Sequence, residues 1–309
     1  MLTRLGLLLP SRIGSLEGSD PFTSVVGLAE AAELSGFDSI WVADRQDTDS
    51  DSSFEAYTLL GALAVRTTSA RLGALVSSVT HRNPGILAKQ VTALDILSSG
   101  RAVLGVGPGG AQPDHGAVSE AAAQSGPVHT ESDRRDPERV RYDRFEEALE
   151  VLGALLGKSP ANAADISFAG SFFRLDGAPN RPRPVQDGRL PVLIGDSNDE
   201  TLKLVARYGD ACSLVGDPTT IRLKLSVLDR HMEDFDRDPG SLTKTALIPV
   251  GRLLAGAKRP ESIAQQVADY LEVGIDGIIA KLPDEGDRAA DHELASVDLV
   301  SAIGRALLR

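Results

Sequence analysis

The run Asn83-Pro84-Gly85-Ile86-Leu87-Ala88-Lys89-Gln90-Val91-Thr92-Ala93-Leu94-Asp95-Ile96-Leu97-Ser98-Ser99-Gly100, then Arg101 and Ala102-Val103-Leu104-Gly105-Val106-Gly107, decides how the chain is read. Its first part predicts a helix, with proline at the first turn and glycine where it stops. Its last six residues are apolar on both faces, as expected of a parallel strand covered on both sides.

The same alternation extends outward in both directions. Toward the N-terminus, strands are predicted over Arg4–Leu9, Phe37–Val42 and Arg71–Val76, with helices over Phe22–Ser35 (stopped by Gly36) and Phe54–Arg66. Toward the C-terminus, strands are predicted over Pro191–Ile194, Ala211–Val215, Thr245–Leu254 and Gly277–Ala280. Helices alternate with them over Thr201–Arg207, Ile221–Phe235, Ser262–Val273 and His292–Leu308. Between the halves, Phe145, Ala148, Leu149, Leu152, Leu155 and Leu156 recur at helical steps. Ile166–Phe173 reads as a small hairpin before the fifth strand, and Pro108–Glu138 as a polar insertion loop after the fourth. Eight strands each followed by a helix predict an α/β fold, a single (β/α)8 TIM barrel over residues 1–309. The rival, an open doubly wound sheet, usually stops at five or six strands.

Composition narrows the function. The chain has 309 residues, 42% hydrophobic and 25% charged, in the range of ordinary globular proteins. Its formal net charge of −12 disfavours nucleic-acid phosphate as a partner. Eight Phe, four Tyr and one Trp leave little for base stacking. No apolar run reaches the roughly 18 residues that cross a bilayer. The greasy start Leu5-Gly6-Leu7-Leu8-Leu9 reads as a buried first strand rather than a signal peptide. The lone Cys212 excludes a disulfide framework within the chain and fits a cytoplasmic setting.

In a barrel of this kind, chemistry sits on the loops at the carboxyl ends of the strands. Those loops begin here with Pro10-Ser11-Arg12, Asp44-Arg45-Gln46, Ser77-Ser78-Val79-Thr80-His81-Arg82, Gly107-Pro108-Gly109-Gly110, Gly195-Asp196-Ser197-Asn198, Gly216-Asp217, Gly256 and Lys281. Asp44 and Arg45 read either as a structural ion pair or as ligand-binding groups. His81, just past a strand end, reads either as structural or as catalytic; His231 and His292 fall on helices and read as surface residues. Gly105, Gly107 and Gly110 formally match G-x-G-x-x-G, but Pro108 and a polar loop stand where a Rossmann turn needs a helix. There is no G-x-S-x-G elbow, no phosphate-binding loop with the Gly-Lys-Ser/Thr ending, and no zinc-type histidine spacing.

The blocks Phe37-Asp38-Ser39-Ile40-Trp41-Val42-Ala43-Asp44, Arg82-Asn83-Pro84, and Leu94-Asp95-Ile96-Leu97-Ser98-Ser99-Gly100-Arg101 with its Gly-x-Gly strand resemble the bacterial luciferase-like oxidoreductases. With Arg144–Leu149, Arg183–Gln186, Pro191–Gly195 and Leu204–Ala211, the likeness is greatest to the deazaflavin (coenzyme F420) branch and spans nearly the whole chain. The resemblance implies a barrel with an insertion after strand four, often a homodimer. It implies a flavin or deazaflavin at the strand ends, over a non-proline cis peptide near Leu75-Val76-Ser77. Asp44 would then lie beside the ring, and Val76 and the backbone of Gly107 to Gly109 close to it. Ser77 and Ser78 would bond the ring's polar edge or merely cap a turn. Gly195, Asp196, Ser197 and Asn198 would form the phosphate loop at a helix start.

Two departures from the branch stand out. The branch commonly carries Asp-His after strand two, whereas this chain has Asp44-Arg45. Arginine is a poor proton donor, so Arg45 would bind an anionic substrate or stabilise developing negative charge, and His81 or a water would deliver the proton. Asp196 would set a negative charge inside the phosphate loop. The expected activity is hydride transfer between coenzyme F420 (8-hydroxy-5-deazaflavin) and a small organic substrate. The alternatives are an FMN-dependent monooxygenase served by a separate flavin reductase, and a non-catalytic barrel acting as a binding subunit.

Overall fold

The computed structural model describes residues 4–10, 20–44, 54–79, 82–109, 137–157, 166–195, 198–254, 260–283 and 297–307. The chain runs β1 (Leu5–Leu8), α1 (Pro21–Leu34), β2 (Ser39–Val42), α2 (Ala56–Arg66), β3 (Arg71–Ala74), β4 (Ser77–Ser78), α3 (Pro84–Leu97) and β5 (Ala102–Gly107). It continues through α4 (Pro137–Leu156), β6 (Ile166–Ala169), β7 (Arg174–Ala178), β8 (Val192–Gly195), α5 (Asp199–Tyr208), β9 (Ala211–Leu214) and α6 (Pro218–Asp234). Last come β10 (Thr243–Pro249), α7 (Val250–Leu254), α8 (Pro260–Glu272), β11 (Gly277–Lys281) and α9 (Val297–Leu307). Among the described residues, three α-helices begin with an Asp or Asn cap followed by proline, at Asp20-Pro21, Asn83-Pro84 and Asp217-Pro218. The cap side chain accepts a free N–H, and proline at the next position loses nothing by lacking one.

The main sheet is parallel throughout, in the order β3-β2-β1-β11-β10-β9-β8-β5, and β3 pairs back to β5, so the sheet closes. With β3 and β4 as one interrupted strand, it is the expected eight-stranded (β/α)8 barrel. The separate hairpin before the fifth barrel strand is β6 with β7. Its return strand is Arg174–Ala178, beyond the predicted end at Phe173.

Two further boundaries differ from the sequence reading by several residues. The strand expected over 245–254 ends at Pro249, and Val250–Leu254 is helical, because proline offers the ladder no donor. Helix α4 begins at Pro137, well before Phe145, and so takes the end of the predicted 108–138 insertion. Residues 110–136 of that insertion, and His292, lie outside the described residues. Among the described residues, no helix is long and apolar enough to cross a membrane.

Strand alternation sorts the side chains into two cores. Leu7, Ile40, Leu72, Leu104, Ile194, Leu214 and Ile278 face the helices. Leu8, Trp41, Leu75, Val103, Leu193, Ala211 and Ile279 fill the barrel interior. Trp41 is fully buried there, and its indole Nε1 donates to Ser39 Oγ at 2.9 Å. A β-carbon on Gly73 would stand 2.7 Å from Trp41 Cζ3 and 2.7 Å from the Val103 carbonyl oxygen. The indole therefore occupies space that glycine leaves.

The interruption between β3 and β4 is a bulge. Gly73 pairs with Val103 and Ser77 with Val106, so four steps on one strand face three on its neighbour. The Leu75–Val76 peptide within it is cis, where the family resemblance placed such a bond. The Ala74 carbonyl comes against the spot where Gly105 would carry a β-carbon.

At the opposite end, carboxylates tie strands together. Asp38 accepts from Arg4 N and Leu5 N, Asp210 from Val192 N at 2.9 Å, and Asp276 from Lys244 N at 2.7 Å. Each precedes one strand and binds the start of its neighbour. Arg101 does the corresponding work before β5, donating to the carbonyls of Ser98, Ala70, Ala64 and Thr67. Asp95 accepts from Val185 N, Gln186 N and the Gln186 amide. The Leu94–Arg101 block that carries the family likeness is therefore scaffold.

Glu33 receives the N–H groups of Thr68, Ser69 and Ala70. Burial alone would raise its pKa, but these donors bring it down to about 2 from 4.5. A depressed carboxylate stabilises the fold above its unfolded pKa and loses that contribution as pH falls. Glu33→Gln should therefore flatten the stability profile between pH 4.5 and about 2, measured by urea unfolding across a pH series; an unchanged slope would contradict the assignment. Gly73→Ala should cost about 1–3 kcal/mol by overpacking against Trp41 and the β5 backbone, read from the urea midpoint.

Candidate active site

The carboxyl end of the barrel is built around the β3–β4 bulge. Val76 is partly exposed and packs on the inner cluster below it. A β-carbon on Gly107 would lie 2.7 Å from Val76 Cγ2, and one on Gly195 would lie 2.6 Å from Val76 Cγ1. Val76 thus sits in a seat that these two residues can offer only as glycines, which brings three of the predicted cofactor-contacting positions together. Alternation separates the two serines that follow. Ser78 pairs with Gly107 on the inward side, whereas Ser77 pairs with Val106, whose side chain faces the helices. Ser77 is fully buried and its hydroxyl lies 2.9 Å from the Tyr57 hydroxyl, so it meets α2 instead of the mouth.

Asp44, at the end of β2, has both oxygens engaged by one partner. Arg82 Nε donates to Oδ2 at 2.6 Å and Arg82 Nη2 to Oδ1 at 2.6 Å. The Asp44 side chain is 1% exposed and that of Arg82 14%. Arg82 also donates to Glu55 Oε1 at 2.8 Å, and its guanidinium lies 5.3 Å from the Tyr57 ring centroid. Burial would lower the Arg82 pKa, but the two carboxylates raise it above its ordinary value. Burial, together with the charge of Asp44, pushes the Tyr57 phenol up, so at neutral pH it is an uncharged hydroxyl.

Across the mouth, Gly109 follows β5 with its carbonyl accepting from Arg141 Nη1 at 2.8 Å. Arg141 stacks at 4.9 Å from the Tyr142 ring centroid, and the Tyr142 hydroxyl accepts from Asn198 Nδ2. Asn198 caps α5, its oxygen accepting from Thr201 N at 2.9 Å. Arg141 Nε is buried with no hydrogen-bond partner among the described residues. Asn198 therefore stands at the helix start predicted for it, joined by two residues of α4.

Arg45, His81, Asp196 and Ser197 lie outside the described residues. His231, read as a surface residue, is only 12% exposed in its side chain and lies 3.2 Å from Asp199 Oδ1. Cys212 is fully buried, and burial pushes its thiol up to about 12, which leaves it unreactive. Sequence reasoning missed Tyr57, Arg82, Arg141 and Tyr142. Arg82 adjoins the Asn83-Pro84 helix start and was legible only as part of that block. The others sit on amphipathic helices, where one polar side chain carries no signal.

The sequence pattern of the luciferase-like monooxygenases matches residues 3–295. The chain belongs to that family. It is 25% identical over 257 residues to a 5,10-methylenetetrahydromethanopterin reductase from Methanolobus tindarius, covering 83% of this chain and 69% of that one. The chain spans 66–69% of the length of the first curated relatives it matches. Among solved structures, an F420-dependent secondary alcohol dehydrogenase in complex with an F420-acetone adduct superposes with a TM-score of 0.77 at 19% identity, covering 99% of each chain. An EDTA monooxygenase from Chelativorans sp. BNC1 superposes at 0.73 with 17% identity, over 98% of this chain and 94% of that one. The family's relatives are thus reductases, dehydrogenases and monooxygenases on one barrel.

Removing Asp44 would leave the buried Arg82 only the partly exposed Glu55 as an ionic partner. Asp44→Asn should lower stability by about 3 kcal/mol, measured by urea unfolding at neutral pH. A loss under about 0.5 kcal/mol would mean the pair behaves like an exposed one.

Proposed function

We propose that this chain is an oxidoreductase that moves a hydride between coenzyme F420 and a small organic substrate. The observation that carries this reading is the seat of Val76, a branched apolar side chain presented at the barrel mouth between two glycines. Such a surface suits the face of a flat tricyclic ring, and Gly109 leaves partly exposed backbone beside it. The phosphate end fits the group formed by Arg141, Tyr142 and Asn198, where a buried guanidinium nitrogen has no partner among the described residues, against the opposing charges of Asp199 and Glu200 in the first turn of α5. The reductase relative and the fold shared with an F420-dependent dehydrogenase support deazaflavin as the cofactor.

When bound, the deazaflavin supplies a two-electron hydride carrier. The chain's own residues position and shield it. Val76 backs the ring, and Ser78 lies on the same inward side as Gly107 to meet its polar edge. Asp44, held by both oxygens, contributes a fixed charge pair beside the ring. In this proposal Arg45 binds an anionic group of the substrate and His81 carries the proton. The active form is a homodimer, supported by Val65 (70% exposed) and Leu97 (53% exposed) on the adjacent helices α2 and α3.

Titrating the protein with coenzyme F420 should give saturable micromolar quenching of the deazaflavin fluorescence, with FMN inert. Binding of FMN alone would overturn the cofactor assignment in favour of a monooxygenase fed by a reductase, and binding of neither would overturn the enzymatic reading. Gly195→Ala should displace Val76 and weaken F420 binding by roughly tenfold.

A further inference from the structure

We propose that Tyr57 and Arg82 are positioning residues that set the placement of Val76 through Ser77. The inference rests on the reading of Val76 as the ring support. The chain of contacts is short. Ser77 is bonded covalently to Val76 and opens β4, directly after the bulge. Its fully buried hydroxyl lies 2.9 Å from the Tyr57 hydroxyl, and no other side-chain hydrogen bond among the described residues reaches it. Tyr57 is itself buried in the first turn of α2, beneath the Arg82 guanidinium at 5.3 Å. Arg82 is pinned by a fork to Asp44 at the end of β2 and by a third bond to Glu55, the cap of α2.

Three elements thereby converge on the residue that follows the bulge. The end of β2 and the start of α2 hold Arg82, Arg82 covers Tyr57, and Tyr57 holds Ser77. The bulge needs such a tie because it is joined to β5 by pairing only on either side, at Leu72–Gly73 and at Ser77–Ser78. Arginine suits the role better than lysine, since only its planar fork satisfies both Asp44 oxygens while lying over a ring. Tyrosine suits it better than phenylalanine, since a buried Ser77 hydroxyl without its partner is left unsatisfied.

The test measures the F420 dissociation constant by fluorescence quenching, alongside the thermal midpoint of the cofactor-free protein. The variants are Tyr57→Phe, Ser77→Ala, their double, Arg82→Lys and Arg82→Gln. Glu33→Gln, at the other end of the barrel, is the control for stability loss alone. Tyr57→Phe and Ser77→Ala should each weaken F420 binding by about tenfold, and the double variant should be no worse than either. Arg82→Lys should fail to restore what Arg82→Gln loses, whereas Glu33→Gln should leave the constant unchanged. Additive losses in the double variant would show that Ser77 and Tyr57 act separately, and variants that shift only the thermal midpoint would show a purely structural role. Either result overturns the inference. If the unaltered protein binds neither F420 nor FMN, the proposed function fails first, and the two failures are thereby told apart.

Discussion

The extra residue between β3 and β4 has to go somewhere, and a closed barrel leaves it only inward. Its backbone and the Val76 side chain enter space that β-carbons would otherwise occupy at positions 105, 107 and 195. The same economy applies one layer down, where Trp41 uses the room left at Gly73. A barrel interior is normally filled by branched side chains from every strand. Here one indole, a few aliphatic residues and a bulge fill it, and the glycines around them are what make that packing possible.

This gives a physical meaning to the Gly-x-Gly of β5. In a dinucleotide-binding turn those glycines would admit a pyrophosphate beside a helix. In this chain they admit a neighbouring strand: Gly105 meets the Ala74 carbonyl and Gly107 meets Val76. A motif of the same letters serves a different contact because the element that follows is a loop.

The two ends of the barrel divide labour. At the amino ends of the strands, single carboxylates and Arg101 satisfy backbone groups in repeated fashion, which fixes register without leaving a charge for chemistry. At the carboxyl ends, two arginines reach across elements. Arg82 joins β2, α2 and the start of α3, and Arg141 joins α4 to the loop after β5. These side chains hold loops in place and keep the mouth polar at its rim, while Val76 supplies its apolar floor. A cavity so arranged favours a ligand with a flat apolar face and an anionic end.

Periodicity alone determined the class of fold, because alternating buried strands and one-faced helices leave few ways to bury apolar surface. It also located the hairpin and the strand ends that form the mouth, whereas the place of the bulge came from the family resemblance. What it left undetermined depends on contacts between residues far apart in the chain. That Asp44 pairs with Arg82, 38 positions on, is a matter of geometry between two loops that no local pattern reports. That Ser77 turns to Tyr57 while Ser78 turns inward follows from strand parity, but which parity held depended on a bulge one residue long. Local patterns report which face of an element is buried; only the assembled barrel decides which groups meet there, since side-chain partners are chosen by distance in space and not along the chain.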